Sequence, residues 1–163
     1  MQSEATSERM MTVAAHPLAE LLECPPTAGD VLNQSSRCIG FDAGEVVFRQ
    51  SGPCKGLYVV VSGSFQRKAE RLNSRVVLGQ ARAGDLVELA AALGDGNHTY
   101  TLSAVTPGTL LLLPIDALRR AFEGYPPLRM RLLEELAREV SRAYYACMID
   151  RVTPRRRNRL ATA

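Results

Sequence analysis

The sequence predicts a mainly β fold with flanking helices, an all-β roll or barrel followed by one long C-terminal helix. Three observations carry this expectation. Between Ser36 and Leu113, short apolar runs alternate with turn residues such as Gly52-Pro53, Ser62-Gly63 and Gly84-Asp85, the pattern of an all-β roll or barrel. Beyond Pro127, apolar residues recur at Leu133, Leu136, Val140, Ala143 and Cys147, a heptad-like seam on a helix. The length of 163 residues suits one domain with its own core.

In order, Met1 to Val13 lacks periodicity and reads as an arm. Leu18, Leu21 and Leu22 have the spacing of a short amphipathic helix over His16–Cys24, which Pro25-Pro26 stops. His16 is a capping or solvent-facing residue in this reading. A second helical turn is expected over Asp30–Arg37. Glu45–Gln50 and the apolar run Leu57–Val61 are read as strands, the second of them buried. Phe65–Lys68 and Arg75–Gln80 then form a hairpin, and Tyr100–Thr106 and Thr109–Leu113 complete the set. Gly44, Gly56, Gly63 and Gly84 each stand at an expected turn, where positive φ is costly for other residues. Asp116 is expected to cap a helix through Glu123, and Gly124–Pro127 separates it from the long helix Leu128–Arg151.

Composition narrows the function classes. Hydrophobic residues make up 46% and charged residues 23%, ordinary for a globular protein. The longest apolar runs are far too short to span a bilayer. The first ten residues lack the apolar centre of a secretory signal. A cytoplasmic location with no membrane partner is the expectation. The formal charge is +3, but five arginines and no acid lie from Arg151 onward, which leaves residues 1–150 at −2. Such a body argues against a nucleic-acid-binding core. Cys24, Cys38, Cys54 and Cys147 stand far apart without a CxxC pair, so they are expected as buried or incidental thiols, with no metal site and no disulfide framework. With two histidines and no evident nucleophile–base pair, no enzyme is expected.

The stretch Gly84 to Thr101 carries the chemistry. A Gly-Asp turn precedes an Ala/Leu-rich helical run, Leu86–Leu93, with Asp85 as its expected N-cap and Glu88 as its single charge. Free amides at such a helix start favour an anion. A carboxylate beside an anion site suits an uncharged partner such as a sugar hydroxyl.

This layout resembles the phosphate-binding cassette of cyclic-nucleotide-binding domains, in particular the sensor domains of CRP/FNR-type bacterial transcription regulators. The resemblance extends to Phe41–Gln50, Gly56–Ser64 and the helix from Leu128. It implies a cyclic-nucleotide-binding-type β-roll of jelly-roll character, a ligand-sensing role in transcription or signalling, and cAMP or cGMP as ligand. Backbone amides at Leu89 and Ala90 would face the phosphate, Glu88 the ribose 2′-hydroxyl, and Thr99 a phosphate oxygen or the base. The family's Gly-Glu pair appears as Val87-Glu88, and its Arg followed by Ser or Thr appears as His98-Thr99. The pocket is therefore degenerate. An imidazole cannot copy the forked pair that a guanidinium makes with phosphate, a loss of about 2–4 kcal/mol.

The resemblance also implies a homodimer through Leu133, Leu136, Val140, Ala143, Tyr144 and Cys147. The expected divisions are residues 1–15 as an arm, 16–127 as the roll, 128–151 as the dimerisation helix and 152–163 as a basic tail. That tail resembles the start of a helix-turn-helix domain without room for a recognition helix, so no specific DNA binding by this chain alone is expected. A second reading, a protein-interaction module that has lost nucleotide binding, fits the same residues.

Overall fold

The computed structural model describes residues 16–72 and 74–152, so the expected arm and basic tail lie outside the described residues. Two helices, α1 (His16–Leu22) and α2 (Pro26–Ser35), lead into eight strands. These are β1 (Arg37–Phe41), β2 (Val46–Phe48), β3 (Gly56–Ser62), β4 (Ser64–Arg71), β5 (Ser74–Arg82), β6 (Leu86–Val87), β7 (Thr101–Ala104) and β8 (Gly108–Pro114). The short α3 (Leu89–Leu93) interrupts them, and α4 (Ile115–Gly124) and α5 (Pro126–Val152) follow. The strands form two antiparallel four-stranded sheets, ordered β1-β8-β3-β6 and β2-β7-β4-β5. This is the expected mainly β roll with flanking helices and a long last helix.

Why β3 and β8 read as continuous apolar runs follows from the two-residue period of a strand. Leu57, Val59, Leu111 and Leu113 face a core shared with Leu18, Leu22, Leu32, Leu118, Leu128 and Leu132 of the helices. Their alternates Tyr58, Val60, Leu110 and Leu112 face the roll interior with Phe48, Phe65, Val87 and Leu102. This sheet is buried on both sides, so neither register position is polar.

Several element boundaries differ from expectation. α1 ends at Leu22 rather than Cys24, where Glu23 turns left-handed and the Cys24 amide bonds back to the Ala19 carbonyl. Pro25-Pro26 starts α2, because proline at the first helical turn gives up no internal hydrogen bond. The helix therefore begins four residues before Asp30. The same logic starts α5 at Pro126 rather than Leu128. Pro114, not Asp116, occupies the N-cap of α4, and Asp116 lies in the first turn. Gly56 lacks the positive φ expected of it. Its role is close approach, since a Cβ there would collide with the Leu113 carbonyl oxygen on the paired strand.

Along α5, the expected seam divides. Leu136 packs on the helix-side core, in line with Leu128 and Leu132, which the heptad pattern missed. Leu133 is half-buried, whereas Val140, Ala143 and Tyr144 are exposed, Val140 and Tyr144 by 60% and 61%. The Cys147 side chain lies outside the described residues. Arg131 on this helix forms an ion pair with Glu23 after α1. The helix is thus anchored on the core over its first three turns, while further along Glu139 stays half-buried and Val140, Ala143, Tyr144 and Tyr145 are exposed.

Candidate functional site

The candidate cassette is built where β6 passes into α3. Leu86 and Val87 pair with Val59 and Tyr58 of β3, so the expected helix Leu86–Leu93 shortens to Leu89–Leu93. Asp85 is not its N-cap. The Asp85 carboxylate instead accepts the Arg82 amide and closes the preceding turn. Glu88 holds the cap position at φ 70° without a side-chain cap bond. Val87 stands where the resembled cassette has glycine, and its side chain is fully buried in the roll interior. Leu89 is buried and Ala90 half-buried at the start of α3.

Glu88 and His98 are the two buried polar residues among those described. A left-handed backbone at a non-glycine residue is uncommon, and here it turns the Glu88 carboxylate toward the loop before β7. His98 Nδ1 lies 2.9 Å from Glu88 Oε2; facing a carboxylate, Nδ1 is the nitrogen that carries the hydrogen and donates it. The Thr99 amide donates to the same oxygen at 3.2 Å, and Thr99 Oγ1 donates to Oε1 at 2.8 Å. Both carboxylate oxygens are therefore engaged by the chain itself. The Glu88 amide donates to the Tyr100 hydroxyl at 3.1 Å.

Aromatic packing holds this knot. The His98 ring lies flat on Phe48, with centroids 3.7 Å apart and planes 2° apart. Tyr58 and Tyr100 flank Phe48 at 5.4 and 5.9 Å, and the Arg67 guanidinium sits 5.8 Å above the Tyr100 ring. Burial, with lesser contributions from Cys54 and Glu88, pushes the Tyr58 hydroxyl up to about 12. Burial likewise raises Tyr100 to about 12, against the opposing pull of Arg67. Desolvation also raises the Cys54 thiol, which donates to the Gly56 carbonyl at 3.1 Å.

Three backbone bonds lace the loop 51–54 to the loop 96–98: Ser51 N–H to His98 O at 2.8 Å, His98 N–H to Gly52 O at 2.8 Å, and Cys54 N–H to Gly96 O at 2.7 Å. They bring Cys54 beside Glu88 and His98. One donor atom from each of these three residues lies within 4.8 Å of the others, and all three residues are buried. Reading the sequence missed this meeting. Cys54, Glu88 and His98 are separated by 34 and 10 residues, a spacing that matches no ligand motif. No sequence signal marks Phe48, Tyr58, Tyr100 and Arg67 either, since only the β-roll topology places them around His98.

The family model described as "Cyclic nucleotide-binding domain" matches residues 39–125, more than half of the sequence. The chain belongs to the cyclic nucleotide-binding domain family. Its fold is shared by the sensor domain of the transcriptional regulator DNR from Pseudomonas aeruginosa, 25% identical with a TM-score of 0.63, over 72% of this chain and 89% of that one. The Thermus thermophilus catabolite activator protein is similar over 77% of this chain at 21% identity and a TM-score of 0.67, and the similarity spans 59% of its length. The regulatory domain of Toxoplasma gondii PKA, a co-crystal structure with cAMP, is 15% identical over 74% of this chain and 46% of its own, with a TM-score of 0.65. No curated protein matches the sequence. This cyclic nucleotide-binding domain is thus related to CRP/FNR-type regulators and shares its fold with PKA regulatory domains, and a cyclic nucleotide is the family's kind of ligand. Among the described residues no helix is long and apolar enough to cross a membrane.

Proposed function

We propose that this chain is a regulatory domain of CRP/FNR type that takes part in transcriptional control or signal transduction in the cytoplasm, without catalysis and without binding cyclic nucleotides in the family's mode. One observation supports this above the others: both carboxylate oxygens of Glu88 are engaged by His98 and Thr99. A carboxylate offers about four lone-pair directions, and here three are taken from within. A ribose hydroxyl would have to displace His98 or Thr99 from a buried carboxylate. A phosphate would meet an imidazole stacked on Phe48 in place of a guanidinium fork.

A missing charge-assisted pair of about 2–4 kcal/mol weakens binding roughly 30- to 1000-fold. The expected outcome of calorimetric titration with cAMP and cGMP is no saturable heat at millimolar nucleotide. Saturable micromolar binding that disappears in Glu88→Ala would overturn the proposal.

A second reading is an interaction module that works through self-association. Its support is the bare half of α5, where Val140, Tyr144 and Tyr145 are exposed by 60%, 61% and 67%. Residues Leu133, Leu136, Val140, Ala143, Tyr144 and Cys147 are its proposed dimer face. The two readings are compatible, since a sensor domain with a closed pocket still needs a helix to report through.

A further inference from the structure

We propose that Cys54, Glu88 and His98 form a binding site for a thiophilic divalent cation, with zinc as the best match. The inference starts from the closed pocket and adds an occupant to it. A thiol, a carboxylate and an imidazole, one donor atom each, lie within 4.8 Å of one another. Sulfur, nitrogen and oxygen are zinc's three protein donors, at about 2.3, 2.0 and 2.1 Å. Ligands at those distances around a tetrahedral ion stand roughly 3.3–3.8 Å apart. The Glu88–His98 pair already stands at 2.9 Å, so the pair must open slightly while Cys54 Sγ swings in from the Gly56 carbonyl. Binding releases the Cys54 thiol proton to solvent, and the imidazole hydrogen moves from Nδ1 to Nε2 so that Nδ1 offers its lone pair to the ion.

Charge favours the same occupant. A thiolate and a carboxylate around a dication sum to zero, so an ion in this buried place carries no net charge into a low-dielectric interior. The ligands are also oriented from behind, as metal ligands require. Thr99 holds both oxygens of Glu88, Phe48 fixes the His98 ring plane, and Gly96 O holds the Cys54 amide. Thr99 itself is exposed, which gives the cluster an edge toward solvent. Three protein ligands leave a fourth position for water or a small ligand.

The test uses the full chain, stripped with chelator and kept reduced. Competition of Zn²⁺ against a chromophoric chelator should give one site per chain with Kd below about 1 μM. Co²⁺ should bring a thiolate-to-cobalt charge-transfer band in the near ultraviolet and strong visible bands of a four-coordinate ion. Cys54→Ser should remove the charge-transfer band, and Cys54→Ser and His98→Gln should each weaken zinc at least tenfold, with Cys38→Ser unchanged. Absence of the charge-transfer band in the wild-type chain overturns the proposal, whatever the variants do. So does wild-type zinc affinity in a Cys54→Ser, His98→Gln double variant. Neither result bears on cyclic-nucleotide binding, which the calorimetric titration decides separately.

Discussion

At the scale of single residues, His98 matters because its ring turns inward. It stacks on Phe48 and meets Glu88, and the carboxylate is left with partners from its own chain. Thr99 closes the arrangement through its hydroxyl. Thr99→Val keeps the shape and removes that donor from a buried carboxylate, and should cost about 1–2 kcal/mol in urea denaturation. An unchanged midpoint would mean that water takes over the bond. The sequence pattern drew Glu88, His98 and Thr99 into one stretch, and the structure brings these three side chains together. Their mutual engagement was not legible. It depends on a left-handed backbone at Glu88, which no propensity argument assigns to a glutamate.

Among elements, α5 shows how one helix can carry two apolar stripes side by side. The heptad spacing of Leu133, Leu136, Val140 and Ala143 is real, yet the residues that dock the helix are Leu128, Leu132 and Leu136. A stripe at steps of four follows one side of a straight helix that packs on a roll, and the seam at steps of three and four runs beside it. Leu132 is 2% exposed, so Leu132→Ala should lower stability by about 2–5 kcal/mol. Val140→Glu should leave the monomer's melting unchanged and abolish self-association in sedimentation velocity. A monomeric wild type would remove the dimer reading. The same contrast explains α3. Its Ala/Leu composition predicted eight helical residues, but Leu86 and Val87 gain more by completing a sheet against β3 than by extending an isolated short helix.

For the molecule as a whole, two neighbouring tyrosines make stability depend on alkaline pH. Tyr58 and Tyr100 are raised to about 12 by burial, against about 10 in an unfolded chain. Below that lower value both states keep the proton and nothing is lost. Between the two, only the unfolded chain releases it, so stability falls as pH rises through about 12. The urea midpoint should therefore drop between about pH 9 and about pH 11.5, and tyrosinate absorbance from these two rings should appear only with unfolding. Early tyrosinate absorbance in a folded protein would show that water reaches the cluster. The roll was legible at this scale because alternating strands and turn residues are local signals. The pairing of loop 51–54 with loop 96–98 was not, being a contact between segments that share no pattern.

The attachment of α5 has a mechanical consequence. α3 touches α5, and the docked stripe ends at Leu136, leaving about 24 Å of helix to Val152 at 1.5 Å per residue. A tilt of about 10° around that last anchor would sweep the far end through roughly 4 Å. The helix is a lever with its fulcrum at the cassette. Whatever loosens the knot around Glu88 by a fraction of an ångström is magnified along the far half of this helix.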